Sequence, residues 1–342
     1  MVPLVTVCIP TFNGVRHIRD CVESVLAQSF TDLEILIVDD CSTDATRNVV
    51  QEYAFSDSRV RMIVNQENLG LVPNWNRCVS LAKGTWLKFV FQDDVIEFDC
   101  IQRMLEARQG DVLLIVCRRD FIFEAEVSEA VRDTYRDFLG RKSVRFKFPG
   151  MSLISPREFC LEFLENPTEN WLGEPTATLI HRSAFDRYGL FNPGLASLCD
   201  WEFWARVAVN TGFYYLDYKG ASFRVHSDSE SAKQRVAAVF KIGYLDPLIV
   251  RHEMAYAPAY APARRCAAQQ KPPVNLIQKL LYAAHDAERR AEEYAYDPVA
   301  PNTGPLSEWR IATRRYPRFQ SMPVSYVLDW AKRKASSVWN PA

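Results

Sequence analysis

The chain lacks a glycine-rich phosphate loop: neither Gly-x-Gly-x-x-Gly nor Gly-x-x-x-x-Gly-Lys-Ser/Thr occurs in its 342 residues. Dinucleotide folds and P-loops need those glycines to bring backbone against a pyrophosphate, so both omissions count against these classes. No apolar run approaches the roughly 18 residues of a spanning helix. The opening Val2-Pro3-Leu4-Val5-Thr6-Val7-Cys8-Ile9 has no basic stretch before it, so neither a membrane span nor a signal peptide is expected. A net charge of -1 leaves no electrostatic footprint for nucleic acid. The nine cysteines are scattered and contain no Cys-x-x-Cys pair. That pattern predicts reduced thiols in a cytosol, not a disulfide framework or a zinc site. There are no internal repeats.

What is present is alternation. Leu4 to Ile9 reads as a strand, Arg16 to Gln28 as a helix, Leu33 to Val38 as a strand and Ala45 to Ala54 as a helix. Val60 to Val64, Trp75 to Ala82 and the apolar run Trp86 to Gln92 continue the series as strand, helix and strand. Short loops between such elements predict a right-handed, mostly parallel sheet covered on both faces. Val112 to Cys117 is expected as another buried strand, and residues 120 to 170 as loops and helices that shape a pocket. A strand at Thr176 to His181, a helix at Asp200 to Asn210, and short strands at Tyr214 to Tyr218 and Ala221 to Val225 follow. Beyond about residue 231 the composition shifts. Ala255 to Pro273 reads as a linker or extended crossing. Val274 to Tyr294 reads as an amphipathic helix with Leu276, Ile277, Leu280, Leu281 and Ala284 on one face. The end is basic: Arg310, Arg314, Arg315, Arg318, Lys332, Arg333 and Lys334 stand against Glu308 and Asp329. A solvated helix face is the first meaning of that charge, and peripheral contact with the inner face of an anionic membrane the second.

Three acidic sites fall at strand ends or a helix start. Asp93-Asp94 ends the run Trp86 to Gln92, where open α/β sheets bind ligands. Adjacent carboxylates repel each other's ionisation unless a cation is present. Mg²⁺ or Mn²⁺ takes one or two such carboxylates and completes its shell with substrate phosphate oxygens. Asp39-Asp40 follows the second strand, where a carboxylate accepts hydrogen bonds from a nucleobase imide or a ribose. Asp200 lies at a helix start among aromatic residues, a setting in which burial raises the pKa and the helix dipole lowers it. Such a group suits a general base. Asn68-Leu69-Gly70 supplies a polar loop at the same sheet edge, and His226, after Arg224-Val225, is a candidate metal ligand or phosphate contact.

Several segments together resemble the family 2 glycosyltransferases. They are Val7-Cys8-Ile9-Pro10-Thr11-Phe12-Asn13, Ser24 to Phe30, Val38-Asp39-Asp40-Cys41-Ser42-Thr43-Asp44 and Asn68-Leu69-Gly70. Ala82-Lys83-Gly84, Gln92-Asp93-Asp94, Gly189-Leu190-Phe191 and Cys199-Asp200-Trp201-Glu202 complete the set, across roughly residues 4 to 230. The resemblance implies a GT-A fold: a Rossmann-like, mostly parallel sheet flanked by helices. The expected division is residues 1–230 as the transferase domain, with 1–118 the nucleotide half and 119–230 the acceptor half. Residues 231–342 would form a mainly helical extension. The activity implied is inverting transfer from a UDP- or dTDP-sugar to a hydroxyl of a glycan or lipid-linked glycan, most often in bacterial surface polysaccharide synthesis.

Carried over residue by residue, Pro10, Thr11 and Asn13 would line the nucleoside pocket with Asn68 and Gly70 nearby. Asp40 would meet the base, Asp93 the ribose or donor sugar, Asp94 the Mn²⁺ or Mg²⁺ ion, and Asp200 the acceptor hydroxyl. Trp171, Glu174 and Trp201 sit where the acceptor would enter. Two departures stand out: Cys199 replaces the Glu that commonly precedes the base, and Phe91-Gln92 lacks the Asp often found two residues before the pair. A non-catalytic nucleotide- or sugar-binding relative and a nucleotidyltransferase on a similar sheet are the competing readings.

Overall fold

The structure is a computed structural model that describes residues 2–108, 110–227, 229, 239–297 and 302–320. They fall into two compact units: residues 1–193 with 199–233, and residues 194–198 with 234–342.

The first unit opens with β1 (Val5–Thr11), α1 (Ile18–Leu26), β2 (Leu33–Asp39), α2 (Thr46–Ser56), β3 (Val60–Val64), α3 (Leu71–Leu81) and β4 (Trp86–Phe89). Next come β5 (Val95–Ile96), α4 (Cys100–Glu106), β6 (Leu114–Phe123), α5 (Glu129–Arg141), α6 (Val144–Lys147), β7 (Leu153–Ile154) and α7 (Pro156–Glu165). It closes with β8 (Thr178–His181), α8 (Ser183–Tyr188), α9 (Cys199–Thr211) and β9 (Phe213–Val225). Among the described residues one nine-stranded sheet runs β3-β2-β1-β4-β8-β6-β9-β5, with β7 added against β9. Strands β3, β2, β1 and β4 are parallel, so their carboxyl ends share one edge. β8 is antiparallel to both β4 and β6, and marks where the sheet changes direction.

β1 and β2 are buried along their whole length, as strands covered on both faces must be. Their side chains divide by the period of two. Val5, Val7, Ile9, Leu33, Ile35 and Ile37 join Ile18, Cys21, Val22 and Val25 of α1 in one apolar cluster. On the other face α3 contacts β1 and β2, and its Trp75 stacks on Phe91 with ring centres 4.8 Å apart.

The observed elements differ from expectation where local chemistry decides. α3 starts at Leu71, not Trp75, because Gly70 takes φ 84 at its cap and Pro73 is tolerated in a first turn. The run Trp86 to Gln92 leaves the sheet after Phe89 and turns through Val90 to Asp94. The two short strands expected after residue 213 are one, β9, whose pairing with β6 shifts register around Arg118. The strand expected from Thr176 begins instead with a 3-10 turn, Pro175–Ala177.

The second unit is helical over its described residues: Asp246–Tyr256, Ala261–Gln269, Leu276–Ala295 and Gly304–Arg315. The expected linker at Ala255 to Pro273 is corrected by the Ala261–Gln269 helix and a 3-10 turn at Pro258–Tyr260. Pro258 and Pro262 occupy first-turn positions, where a missing N–H costs nothing and the fixed φ favours a helix. The helix Leu276–Ala295 buries Leu280, Leu281, Ala284, Ala287, Ala291 and Ala295. Ile277, expected on that face, is exposed because the buried stripe begins one turn later. Lys332, Arg333 and Lys334 of the basic end lie outside the described residues. Among the described residues no helix is long and apolar enough to cross a membrane.

One polar node sits inside the parallel half. Thr6 Oγ1 donates to Glu34 Oε1 at 2.7 Å, and the Gly84 and Lys83 backbone N–H groups donate to Thr6 Oγ1 and Glu34 Oε1 respectively, each at 2.7 Å. Gly84 lies so close that a methyl group there would overlap the backbone of Val5 and Thr6. Gly84→Ala should therefore lower stability by about 2 kcal/mol or more, the range for overpacking against rigid neighbours. Urea unfolding followed by tryptophan fluorescence would show it, and an unchanged midpoint would refute the close approach.

Candidate active site

The candidate site is assembled at the carboxyl ends of β1, β2 and β4 and on the loops that face them. At the end of β1, Thr11 Oγ1 donates to Gln92 Oε1 at 2.5 Å, and the Phe12 N–H donates to the same oxygen at 2.9 Å. Gln92 Nε2 returns a bond to the Phe12 carbonyl at 3.1 Å. Gln92, part of the Gln92-Asp93-Asp94 motif, thereby clamps the first loop. Pro10 is buried within β1, opposite Val38. Asn13 adopts φ 48, a left-handed conformation that asparagine tolerates well. Its Oδ1 accepts the Thr43 N–H at 2.8 Å, joining the first two loops. Asn13 and Asn68 are exposed and Gly70 half-buried at this edge.

Asp40, expected against the base, faces inward. It is 3% exposed, and its Oδ1 accepts Asn65 Nδ2 at 2.7 Å and the Leu69 N–H at 2.9 Å. Its Oδ2 accepts the Gly70 N–H at 2.9 Å. The carboxylate thus shapes the Asn68-Leu69-Gly70 loop and leaves the loop backbone and side chains to face outward. Asp39 is buried likewise and is held by Ser42 and by Arg47 Nε at 3.1 Å.

The pair after β4 divides its labour. Asp94 is wholly buried. Its Oδ2 accepts the Thr176 hydroxyl at 2.5 Å and its Oδ1 the Arg224 backbone N–H at 3.0 Å. Burial first, then the neighbouring Asp93 charge, push its pKa well above the ordinary carboxylate range. Both of its oxygens are thus engaged within the protein. Asp93 is half-buried, and its Oδ2 lies 3.1 Å from His226 Nε2. His226 is 7% exposed, and its Nδ1 has no hydrogen-bond partner among the described residues. A carboxylate beside an imidazole suits Mn²⁺ or Mg²⁺, whose remaining positions a diphosphate would fill. Among the described residues no group of three or more potential protein ligands converges. His17, which sequence reasoning missed, stands edge-on to His226 at 4.9 Å, and its Nε2 is 3.2 Å from Glu124 Oε1. No periodicity or motif flags a histidine at the entrance to α1. Arg224 Nε donates to the Asp93 carbonyl at 2.9 Å and Nη2 to Asp20 at 3.0 Å, so it braces the turn.

On the other side of the unit, Asp200 opens α9 and is 7% exposed. Its Oδ2 accepts Asn170 Nδ2 at 3.1 Å and its Oδ1 the Trp201 N–H at 2.6 Å. Burial raises its pKa from 3.8 to about 7. Glu174 adds to the rise, while the Trp201 N–H and Arg119 oppose it. Glu174 itself is paired with Arg119 at 2.6 Å. Arg119 packs over Gly173, which has φ 112 and where a methyl would overlap the guanidinium. Trp171 and Trp201, expected to meet acceptor, are core residues. Both are fully buried, their rings 5.2 Å apart, and Trp201 Nε1 donates to the Pro167 carbonyl at 2.7 Å. Flat aromatic rings in an apolar layer already bury both faces, so neither offers one to a sugar.

A carboxyl whose folded pKa exceeds its unfolded value binds more protons in the folded chain, so it costs stability as pH rises. For Asp200 that window runs from 3.8 to about 7. Asp200→Asn should consequently gain stability relative to wild type between pH 4 and pH 8, by up to about 4 kcal/mol. Urea unfolding at a series of pH values measures the difference, and a flat difference would sink the buried-carboxyl account.

Comparison with known proteins gives the family and the fold. The family model described as glycosyl transferase family 2 matches residues 6–189. The putative teichuronic acid biosynthesis glycosyltransferase TuaG of Bacillus subtilis (strain 168) is 39% identical over 104 residues, 30% of this chain and 41% of that protein. The match therefore spans less than half of that relative. S. aureus TarS 1-349, solved in complex with UDP-GlcNAc, has a TM-score of 0.58 at 16% identity, covering 94% of this chain and 82% of that one. The mannosyltransferase PcManGT from Pyrobaculum calidifontis, solved with GDP-Man and Mn²⁺, gives 0.52 at 16% identity over 92% and 87%. At such identities the two structures speak to the fold alone.

Proposed function

The chain belongs to glycosyl transferase family 2 and is a glycosyltransferase, and from that premise we propose that it performs an inverting transfer in which Asp200 is the general base. The carrying observation is the Asp200 carboxyl itself, buried, held by Asn170 and Trp201 and brought to about 7 by its surroundings. A base with that pKa is half ionised near neutral pH and still basic enough to take a hydroxyl proton. Asn170 and the Trp201 N–H fix one direction for its oxygens. Glu174, held by Arg119, is the neighbouring acceptor-side group able to accept sugar hydroxyls.

For the donor, Thr11, Asn13, Asn68 and Gly70 frame the nucleoside side, with Pro10 and Asp40 beneath them as supports. Asp93 and His226 are the residues that would hold a divalent ion. When bound, such an ion offsets negative charge gathering on the departing diphosphate. Asp94 contributes by fixing the Asp93 turn through Thr176 and Arg224. The donor is a nucleotide-diphosphate sugar, with UDP and dTDP as first candidates; GDP enters because PcManGT was solved with GDP-Man. The likeness to TuaG, a putative teichuronic acid biosynthesis glycosyltransferase, supports a role in polysaccharide synthesis. A cytosolic setting fits the nine scattered cysteines, which contain no Cys-x-x-Cys pair.

Asp200→Asn should lower turnover by a factor on the order of 10³ while UDP or GDP binding, measured by calorimetry with Mn²⁺, stays within about twofold. Full turnover in this variant would falsify the base assignment. Wild-type kcat/KM should rise with pH and level off above about 7, following the deprotonation of Asp200. Asp93→Asn and His226→Ala should each weaken the Mn²⁺-dependent part of nucleotide binding at least tenfold. If both variants bind as wild type does, the metal belongs to other residues.

A further inference from the structure

One cavity lies apart from the nucleotide edge, in the first unit, between β6, β9 and the connection from α5 to α6. It measures about 290 Å³. Its wall carries four cationic side chains, Arg118, Arg119, Arg145 and Lys219, with Trp171 and Tyr215 and a single carboxylate, Asp120. Trp171 is fully buried, yet its Nε1 has no hydrogen-bond partner among the described residues. A buried N–H without an acceptor is costly, and such groups are normally satisfied by protein, water or ligand.

The cations are of two kinds. Arg118 and Arg145 reach Asp217 only at 3.4 and 3.8 Å, and Lys219 reaches Asp120 and Glu97 at 3.5 and 3.7 Å. All three side chains are more than 40% exposed, so these long, solvated pairs are weak and can reorganise around an incoming anion. Arg119 is fixed: it is 6% exposed, paired with Glu174, and donates from Nη1 to the Leu172 carbonyl at 3.3 Å. Arg119 is also one of the charges acting on Asp200. The cavity and the proposed base are thereby linked through one rigid ion pair, Arg119 with Glu174.

We propose that this cavity receives an anionic group of the acceptor glycan, a carboxylate or a phosphate, using the Trp171 N–H and the surrounding cations as donors. A neutral sugar asks for a balance of donors and acceptors, whereas this wall is dominated by donors and positive charge. The word acceptor rests on the glycosyltransferase mechanism proposed above; the anion site itself does not.

The test is calorimetric titration of methyl glucuronide, glycerol 3-phosphate and methyl glucoside into the full chain. At least one anion should bind tenfold or more tightly than the neutral glucoside, and the preferred one tells carboxylate from phosphate. Arg145→Ala combined with Lys219→Ala alters two exposed side chains and should weaken that binding at least fivefold. Trp171→Phe keeps an aromatic ring in the layer but removes the N–H, and should weaken it as well. UDP affinity, measured on the same samples, should be unchanged. Equal binding of anions and glucoside, or anion binding that ignores the double substitution, overturns the proposal. A chain that binds anions here but transfers no sugar defeats the reaction proposed above and leaves the cavity assignment standing. A chain that transfers sugar to neutral acceptors at rates the double substitution does not alter defeats the cavity assignment alone.

Discussion

The buried carboxyl of Asp94 is the joint on which the donor side is built. It receives the Thr176 hydroxyl and the Arg224 backbone N–H, and so ties the turn after β4 to the turn before β8 and to the end of β9. Those segments are 82 and 130 residues apart in sequence. A carboxyl placed there is costly to leave unpaired, and that cost makes the arrangement specific. With Asp94 held, Asp93 is set at the rim beside His226, and Arg224 closes over the Asp93 carbonyl.

The acceptor side obeys a different physics. Trp171, Trp201, Phe159, Phe163 and Phe213 form a continuous aromatic layer. Asp200 sits at the edge of that layer, where burial outweighs hydrogen bonding and lifts its pKa to about 7. The aromatic residues that looked like sugar platforms instead create the low-dielectric surroundings that make a carboxylate basic. Arg119 and Glu174 act on the same carboxyl with opposite sign.

The alternation of buried strands and amphipathic helices was legible because β1 and β2 are covered on both faces and must be apolar along their length. Element ends were less legible: Gly70 and Pro73 start α3 a turn early, and Pro258 and Pro262 begin helices where a linker was expected. Among the site residues, the acidic positions at strand ends were visible as types and places. Their orientation was not, since Asp39, Asp40 and Asp94 turn inward and only Asp93 remains at the rim. The clamp that Gln92 makes on the first loop, and the places of His17, Glu124 and Arg119, carried no signal. Their importance comes from partners such as Thr11 and His226 that lie far away in sequence.

The sequence by itself determined the fold class, the edge of the sheet where ligand chemistry gathers, and the carboxyls available there. Periodicity and strand-end position are local properties, and local chemistry suffices to read them. Only the tertiary structure decided which carboxyl is buried and hydrogen-bonded on both oxygens, which stands beside an imidazole, and which tryptophans lie in the core. Those outcomes depend on desolvation and on hydrogen bonds closed across more than 80 residues, and neither quantity exists until the chain has folded.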